Sequence, residues 1–285
     1  MTTGARVRIV VCVKHIIGPP LAGFADGAIS LRNGPNPLDL NAVEEALQLR
    51  ARSGGEVAVI TVGPPQAELT LRRAIMMGAD RAIRLWDESM DRADSFVAAD
   101  ALCAALKATG FDLLLCGARS ADTASGVVGA LLAEQLDLPL IAGAFGLKYD
   151  ARAGQISADK KLERGMRETY VARLPAVVTI ERGPNEPRWY GGRWVHRLVQ
   201  HRVELRDLKS LGTSLPSQSR PVGIVGVTPP RPRTKLGVNV ASLSPEERLM
   251  LMLGRTRKSG ARALASDRPE DAARKIKEHL DKWLG

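Results

Sequence analysis

Apolar residues in this chain come first as short unbroken blocks and then at helical spacing, and the alternation repeats four times before residue 140. The blocks "VRIVVCV", "VAVITV", "AIRL" and "LLLC" predict strands near 7–13, 57–62, 82–85 and 113–116. Apolar positions three and four residues apart follow each one. They predict helices over 37–52, 66–77, 95–109 and 125–136. Strands without polar alternation are covered on both faces, so the pattern reads as an α/β fold with a mainly parallel sheet between two helix layers.

After Pro139 the texture changes. "GLKYDARAGQISADKKL" and "RGMRETYVARLPAVVTIERG" read as strands joined by turns, an antiparallel extension of the sheet. Beyond Gly212 the chain is rich in Pro, Ser and Arg, which predicts an extended arm rather than a second compact domain. The expected division is therefore a domain over 1–212 and an arm over 213–285. Two short amphipathic helices are expected in the arm, one opened by a Ser244–Glu247 capping box and one capped by Asp267.

Parallel sheets bind ligands beyond the carboxyl ends of their strands. Four segments are expected to converge there: "VCVKH", "GPNPLDLNAVEEALQLR", "TVGPPQAELTLR" and "CGARSADTASG". Asn36 reads as an N-cap, with Pro37 at the first helical position and Asp39 in the first turn. The small and hydroxyl residues of the last segment precede a helix start, whose unpaired N–H groups attract anions. A plain cap by Asp122, Thr123 or Ser125 would use the same residue types.

Composition narrows the class. At 285 residues the chain is long enough for one full core. Its three cysteines show neither metal spacing nor a disulfide pattern, which fits a reducing cytoplasm. No secretion signal opens the sequence, and no apolar run reaches the length of a membrane span, so a soluble protein without stable membrane insertion is expected. The net charge of +10 is unevenly spread: residues 182–285 carry 21 Lys and Arg against 10 Asp and Glu, and the rest is nearly balanced. A basic segment suits nucleic acid, an acidic membrane or an acidic protein. No recognition helix or RNA-binding motif accompanies it, which argues against the first.

Several motifs together resemble the β subunit of electron transfer flavoprotein: "NPLDLNAVEEALQLR", "MGADRA", "DLLLCGARSADTASGVVGALLAEQLDLP" and "GPNEPRW", in this order over nearly the whole chain. The resemblance implies a Rossmann-like fold and a heterodimer. Its α subunit holds most contacts to a redox FAD, and the β subunit carries a second nucleotide, commonly AMP and in the bifurcating branch another FAD. It also implies electron donors and acceptors, a flavin dehydrogenase and a quinone oxidoreductase, and no catalytic residues in this chain. The implied nucleotide contacts are Cys12; Asn36 and Asp39; Val62, Gly63 and Thr70; and Gly117 with Asp122, Thr123, Ala124, Ser125, Gly126, Val127 and Val128.

Two departures from the family pattern stand out. Gly126, Val127 and Val128 replace the Asn, Gln and Thr of the common loop, and Ala124 and Val127 replace the second Asp and the Gln of the bifurcating one. The side-chain half of the phosphate site is thus missing, and weak AMP binding or none is expected. The second departure is in the partner-recognition loop, about 183–204, where Gly192 replaces the usual small apolar anchor. Asn185, Glu186, Pro187, Arg188, Trp189, Tyr190, Gly192 and Trp194 are the implied partner contacts; Trp and Arg suit a protein interface, base stacking or simple core packing. His15, His196 and His201 form no metal pattern, and Glu44 and Glu45 are expected as helix-surface charge. The alternatives to the flavoprotein reading are a basic nucleic-acid binder and a stand-alone nucleotide-binding protein.

Overall fold

The computed structural model describes residues 6–16, 33–90, 94–189, 194–211, 244–252, 273–274, 277–278 and 281. Two compact units divide the chain, Met1–Ile224 and Val225–Gly285. The boundary expected between residues 212 and 213 lies outside the described residues.

In the first unit, strand β1 (Val7–Cys12) leads into a short antiparallel ladder of β2 (His15–Ile16) with β3 (Gly34–Pro35). Then follow α1 (Pro37–Ser53), β4 (Gly55–Val62), α2 (Glu68–Met77), β5 (Arg81–Leu85), α3 (Ser95–Thr109), β6 (Leu113–Gly117) and α4 (Val128–Gln135). The remainder is β7 (Leu140–Asp150), β8 (Gln155–Lys161), β9 (Arg167–Arg173), β10 (Ala176–Ile180), α5 (Arg197–Gln200) and β11 (Val203–Arg206). One nine-stranded sheet runs in the order β11-β5-β4-β1-β6-β10-β7-β8-β9. It is parallel from β11 to β7, and antiparallel in β7–β8 and β8–β9.

Alternate residues of the parallel strands feed two cores. Val7, Ile9 and Val11 pack with Leu40, Val43 and Leu47 of α1 and Leu71 and Ile75 of α2. Val10, Ile60, Ile83 and Leu114 pack on the other face with Leu102 and Leu106 of α3 and Leu132 of α4. Each such fully buried side chain contributes about 1.5–3 kcal/mol. The α/β expectation therefore holds, with helices on both faces.

Three expectations are corrected. β10 does not extend the antiparallel part; it lies between β6 and β7 in the parallel core with all five residues buried, as its unbroken "AVVTI" permits. Helix α4 begins at Val128 rather than at 125, because Ala124 (φ 53°) and Gly126 (φ 66°) turn the chain through the left-handed region. β11 adds a short parallel edge strand where a loop was expected, held by Arg81, whose Nη2 donates to Glu204 Oε1 at 2.9 Å.

In the second unit, α6 (Pro245–Met252) carries the expected capping box: Glu247 N–H donates to Ser244 Oγ at 3.2 Å, and Ser244 N–H to Glu247 Oε2 at 2.8 Å. The cap expected at Asp267 lies outside the described residues.

Candidate functional site

From β1 the chain moves through β4 to β5 on one side, then returns across α3 to β6 on the other. That reversal puts a topological switch point between the carboxyl ends of β1 and β6, where open α/β sheets bind ligands.

Asp39 locks the base of this crevice. Its carboxylate accepts from Lys14 N–H at 2.6 Å, Gly117 N–H at 3.1 Å and Asn36 Nδ2 at 2.9 Å, joining the end of β1, the end of β6 and the start of α1. A Cβ on Gly117 would collide with Asp39 Oδ1, so glycine is required for this approach. Burial raises the Asp39 pKa to about 7, outweighing the hydrogen bonds from Asn36, Lys14 and Gly117 that favour the ion. Asn36 stands at the N-cap of α1, yet its side chain makes no cap bond. It reaches instead across to the β6 loop: Nδ2 donates to Arg119 O at 2.9 Å and Oδ1 accepts from Ala121 N–H at 3.1 Å. Both residues are buried, so they shape the crevice from below.

Above them, Lys14 closes on the loop after β6. Its Nζ lies 2.8 Å from Asp122 Oδ1, 3.4 Å from Thr123 Oγ1 and 3.5 Å from Ser120 Oγ. Burial alone would raise the Asp122 carboxyl; bonds from Lys14, Ser120 and the Thr123 N–H outweigh it and hold the group below its usual range. Ser125 Oγ turns the other way, 3.3 Å from Ser95 Oγ at the start of α3. The two hydroxyls expected to face a phosphate together are thus already divided between different partners. Gly126 serves the left-handed turn, and its Cβ would also crowd Ala118 O at 3.1 Å. Val127 is exposed and Val128 half-buried. Lys14 was missed from the sequence although "VCVKH" contains it. The signal lay in its place directly after the first parallel strand.

Of the other expected contacts, Cys12 ends β1 at the switch point itself. Cys12 is buried beside Cys116, its register partner on β6, and that contact with burial pushes its thiol pKa well up. Val62 ends β4, Gly63 follows it and Thr70 lies in the first turn of α2, with β4 across β1 from the loop. Thr70 is fully buried with its Oγ1 2.9 Å from His15 Nδ1, and burial lowers the His15 pKa. Among the described residues no group of three or more His, Cys, Asp or Glu has metal-binding geometry.

The partner segment is anchored by residues expected at the surface. Glu44 and Glu45 are buried, 4% and 3% exposed, because α1 is covered by the chain at 185–188 as well as by the sheet. Arg188 Nε donates to Glu44 Oε2 at 2.8 Å, and Glu45 accepts from Asn185 Nδ2 at 2.6 Å and from Gly146 and Leu147 N–H. Burial raises the Glu44 carboxyl and the bonds from Arg188 and Gln48 outweigh it, leaving its pKa below the usual value. Pro187 is half-buried and Glu186 exposed; Trp189, immediately after the anchor, is 84% exposed. Trp194 is half-buried with the Arg197 guanidinium 5.7 Å from its ring centre. Core packing thus describes neither tryptophan fully. Tyr190 and Gly192 lie outside the described residues.

A doubly wound sheet, a basic side chain over its switch point and a clamped segment beyond β10 define an open α/β fold with its candidate site at the carboxyl ends of the strands. Residues 30–204 match the electron transfer flavoprotein domain family, and the chain belongs to that family, on its β-subunit side. It is 37% identical over 154 residues to electron transfer flavoprotein subunit beta of Thermoanaerobacterium thermosaccharolyticum, covering 54% of this chain and 58% of that protein. It is 31% identical over 181 residues to the same subunit of Methylophilus methylotrophus, covering 63% and 69%. With protein FixA of Azotobacter vinelandii it shares 30% identity over 242 residues, 79% of this chain and 85% of the other. The chain therefore spans little more than half the length of the first of these relatives. Among the described residues no helix is long and apolar enough to cross a membrane.

Proposed function

We propose that this chain is the β subunit of a heterodimeric electron transfer flavoprotein in the cytoplasm. An α subunit would carry the FAD that receives electrons from a flavin dehydrogenase and delivers them to a quinone oxidoreductase or a similar acceptor. This chain shapes and supports that carrier and catalyses no reaction itself. Family membership supports the reading, and the observation that carries it is the Lys14-capped crevice at the β1–β6 switch point.

The crevice fits a phosphate group in part. Lys14 supplies a cation, and the N–H groups at the start of α4 supply donors. Val127 and Val128 offer neither, and Asp122 competes for the Lys14 ammonium. AMP is accordingly held weakly or not at all, and a second, bifurcating FAD is disfavoured. The segment 183–204 presents Trp189 to the redox partner, and the segment 213–285 reaches the α subunit.

Co-expression with an α subunit encoded beside it tests the proposal. The heterodimer is expected to carry one FAD, visible in its absorption spectrum, and the single chain none. Stoichiometric FAD on the single chain, or failure of the pair to associate, overturns it.

A further inference from the structure

Arg84 is the one Lys or Arg buried among the described residues, 7% exposed near the end of β5. The buried carboxylates Asp39, Glu44 and Glu45 each receive several donors. Arg84 has no such match. Its Nη1 donates to one neutral group, Gly63 O, at a long 3.4 Å, and no carboxylate of the described residues lies within ion-pair reach. Its Nε is enclosed and makes no hydrogen bond. Directly opposite it in the β4–β5 ladder is Thr61, 1% exposed, whose Oγ1 is also enclosed and unbonded.

A guanidinium keeps its proton at any attainable pH, so Arg84 cannot escape the cost of burial by becoming neutral. Such a charge needs a counter-charge. The Thr61 hydroxyl, a second donor beside it, matches an acceptor with more than one oxygen. Both residues lie where strands of a parallel sheet end, beside the turn at Gly63, whose N–H donates to Leu85 O. We propose that Arg84 and Thr61 form the floor of an anion site for one phosphate group, either free or carried by a nucleotide. The site is separate from the Lys14 crevice, since β4 and β5 lie together on one side of β1 and the loop after β6 on the other.

The test uses the full chain with inorganic phosphate as probe. Thermal unfolding in phosphate is compared with chloride at equal ionic strength, and affinity is measured by titration calorimetry. Phosphate is expected to stabilise the native chain. Arg84→Met loses the stabilisation and binds at least tenfold more weakly; Thr61→Val falls between. In chloride, Arg84→Met is expected to be at least as stable as the native chain, because an unmatched charge has been replaced by an apolar group of similar length. AMP, but not adenosine, displacing the bound phosphate assigns it to a nucleotide; displacement by neither assigns it to free phosphate. Equal phosphate stabilisation in the native chain and Arg84→Met overturns the proposal, as does a chloride stability of Arg84→Met well below native. Should Arg84→Met fail to fold, Thr61→Val decides: unchanged phosphate affinity there overturns the proposal.

Discussion

Arg188 closes a two-point ion pair on Glu44, its Nε 2.8 Å from Oε2 and its Nη2 3.0 Å from Oε1. Glu44 is buried while Arg188 keeps 42% of its side-chain exposure, so the pair ties a surface segment to the inside of the fold. Arg188→Ala leaves a buried carboxylate short of donors, which is expected to destabilise the chain by about 1–3 kcal/mol. Glu44 titrates below its ordinary value when folded, so the pair's contribution is present above the unfolded pKa and lost as pH falls through the folded one. Urea unfolding of both forms between pH 7 and pH 3 checks this: the gap should close towards the acid end, and a constant gap would show that lost packing accounts for the effect.

Asp39 gives the opposite slope. Its folded pKa is raised to about 7, so between the unfolded value and that point the folded state binds the extra proton. Stability is therefore expected to fall as pH rises from about 4 to 7, by up to a few kcal/mol from this group. Asp39→Asn is expected to be less stable near pH 4, since an amide presents one acceptor oxygen to three donors, and to lack this slope. A native profile rising over the same range would mean that the three donors outweigh burial.

Lys14 and Asp122 make a paired test of the crevice. A charge-assisted hydrogen bond is worth about 1.5–3 kcal/mol, so Lys14→Met is expected to weaken any AMP binding about 10–100-fold. Asp122→Asn removes the competitor for the ammonium and is expected to tighten it. Calorimetry on the heterodimer reads both. Weaker binding in Asp122→Asn would assign Asp122 to the ligand instead.

The arm is tested by proteolysis. Cleavage within 213–243 is expected to slow at least tenfold when the α subunit is added. Equal rates with and without it would leave the arm no role in pairing.

Where one periodicity decided the outcome, the sequence was legible. α3 runs over Ser95–Thr109, as its spacing predicts, and α1 ends one residue beyond its expected limit. β10 was misplaced because sheet order is a tertiary property; its buried, mostly apolar pentapeptide resembles that of its neighbour β6. Glu44 and Glu45 looked like solvated charge because their partners, Arg188 and Asn185, are more than a hundred residues away. Of the four segments expected at the crevice, those after β1, at the start of α1 and after β6 meet there and the one after β4 lies across β1; Asn36 and Asp39 act beneath the crevice and Lys14, unselected, stands over it. Side-chain direction, which separates these roles, is not written in spacing.

The chain between β10 and β11 is fastened at both ends. Arg188 and Asn185 hold its start to α1; beyond it, Arg197 Nη2 donates to Ala79 O at 3.1 Å and His201 Nδ1 to Asp80 O at 2.9 Å, and β11 joins the sheet edge. These anchors flank Trp189, on its two sides in the sequence. The fastening is thus shared between α1 and the sheet edge, so that loss of one tether leaves the other in place.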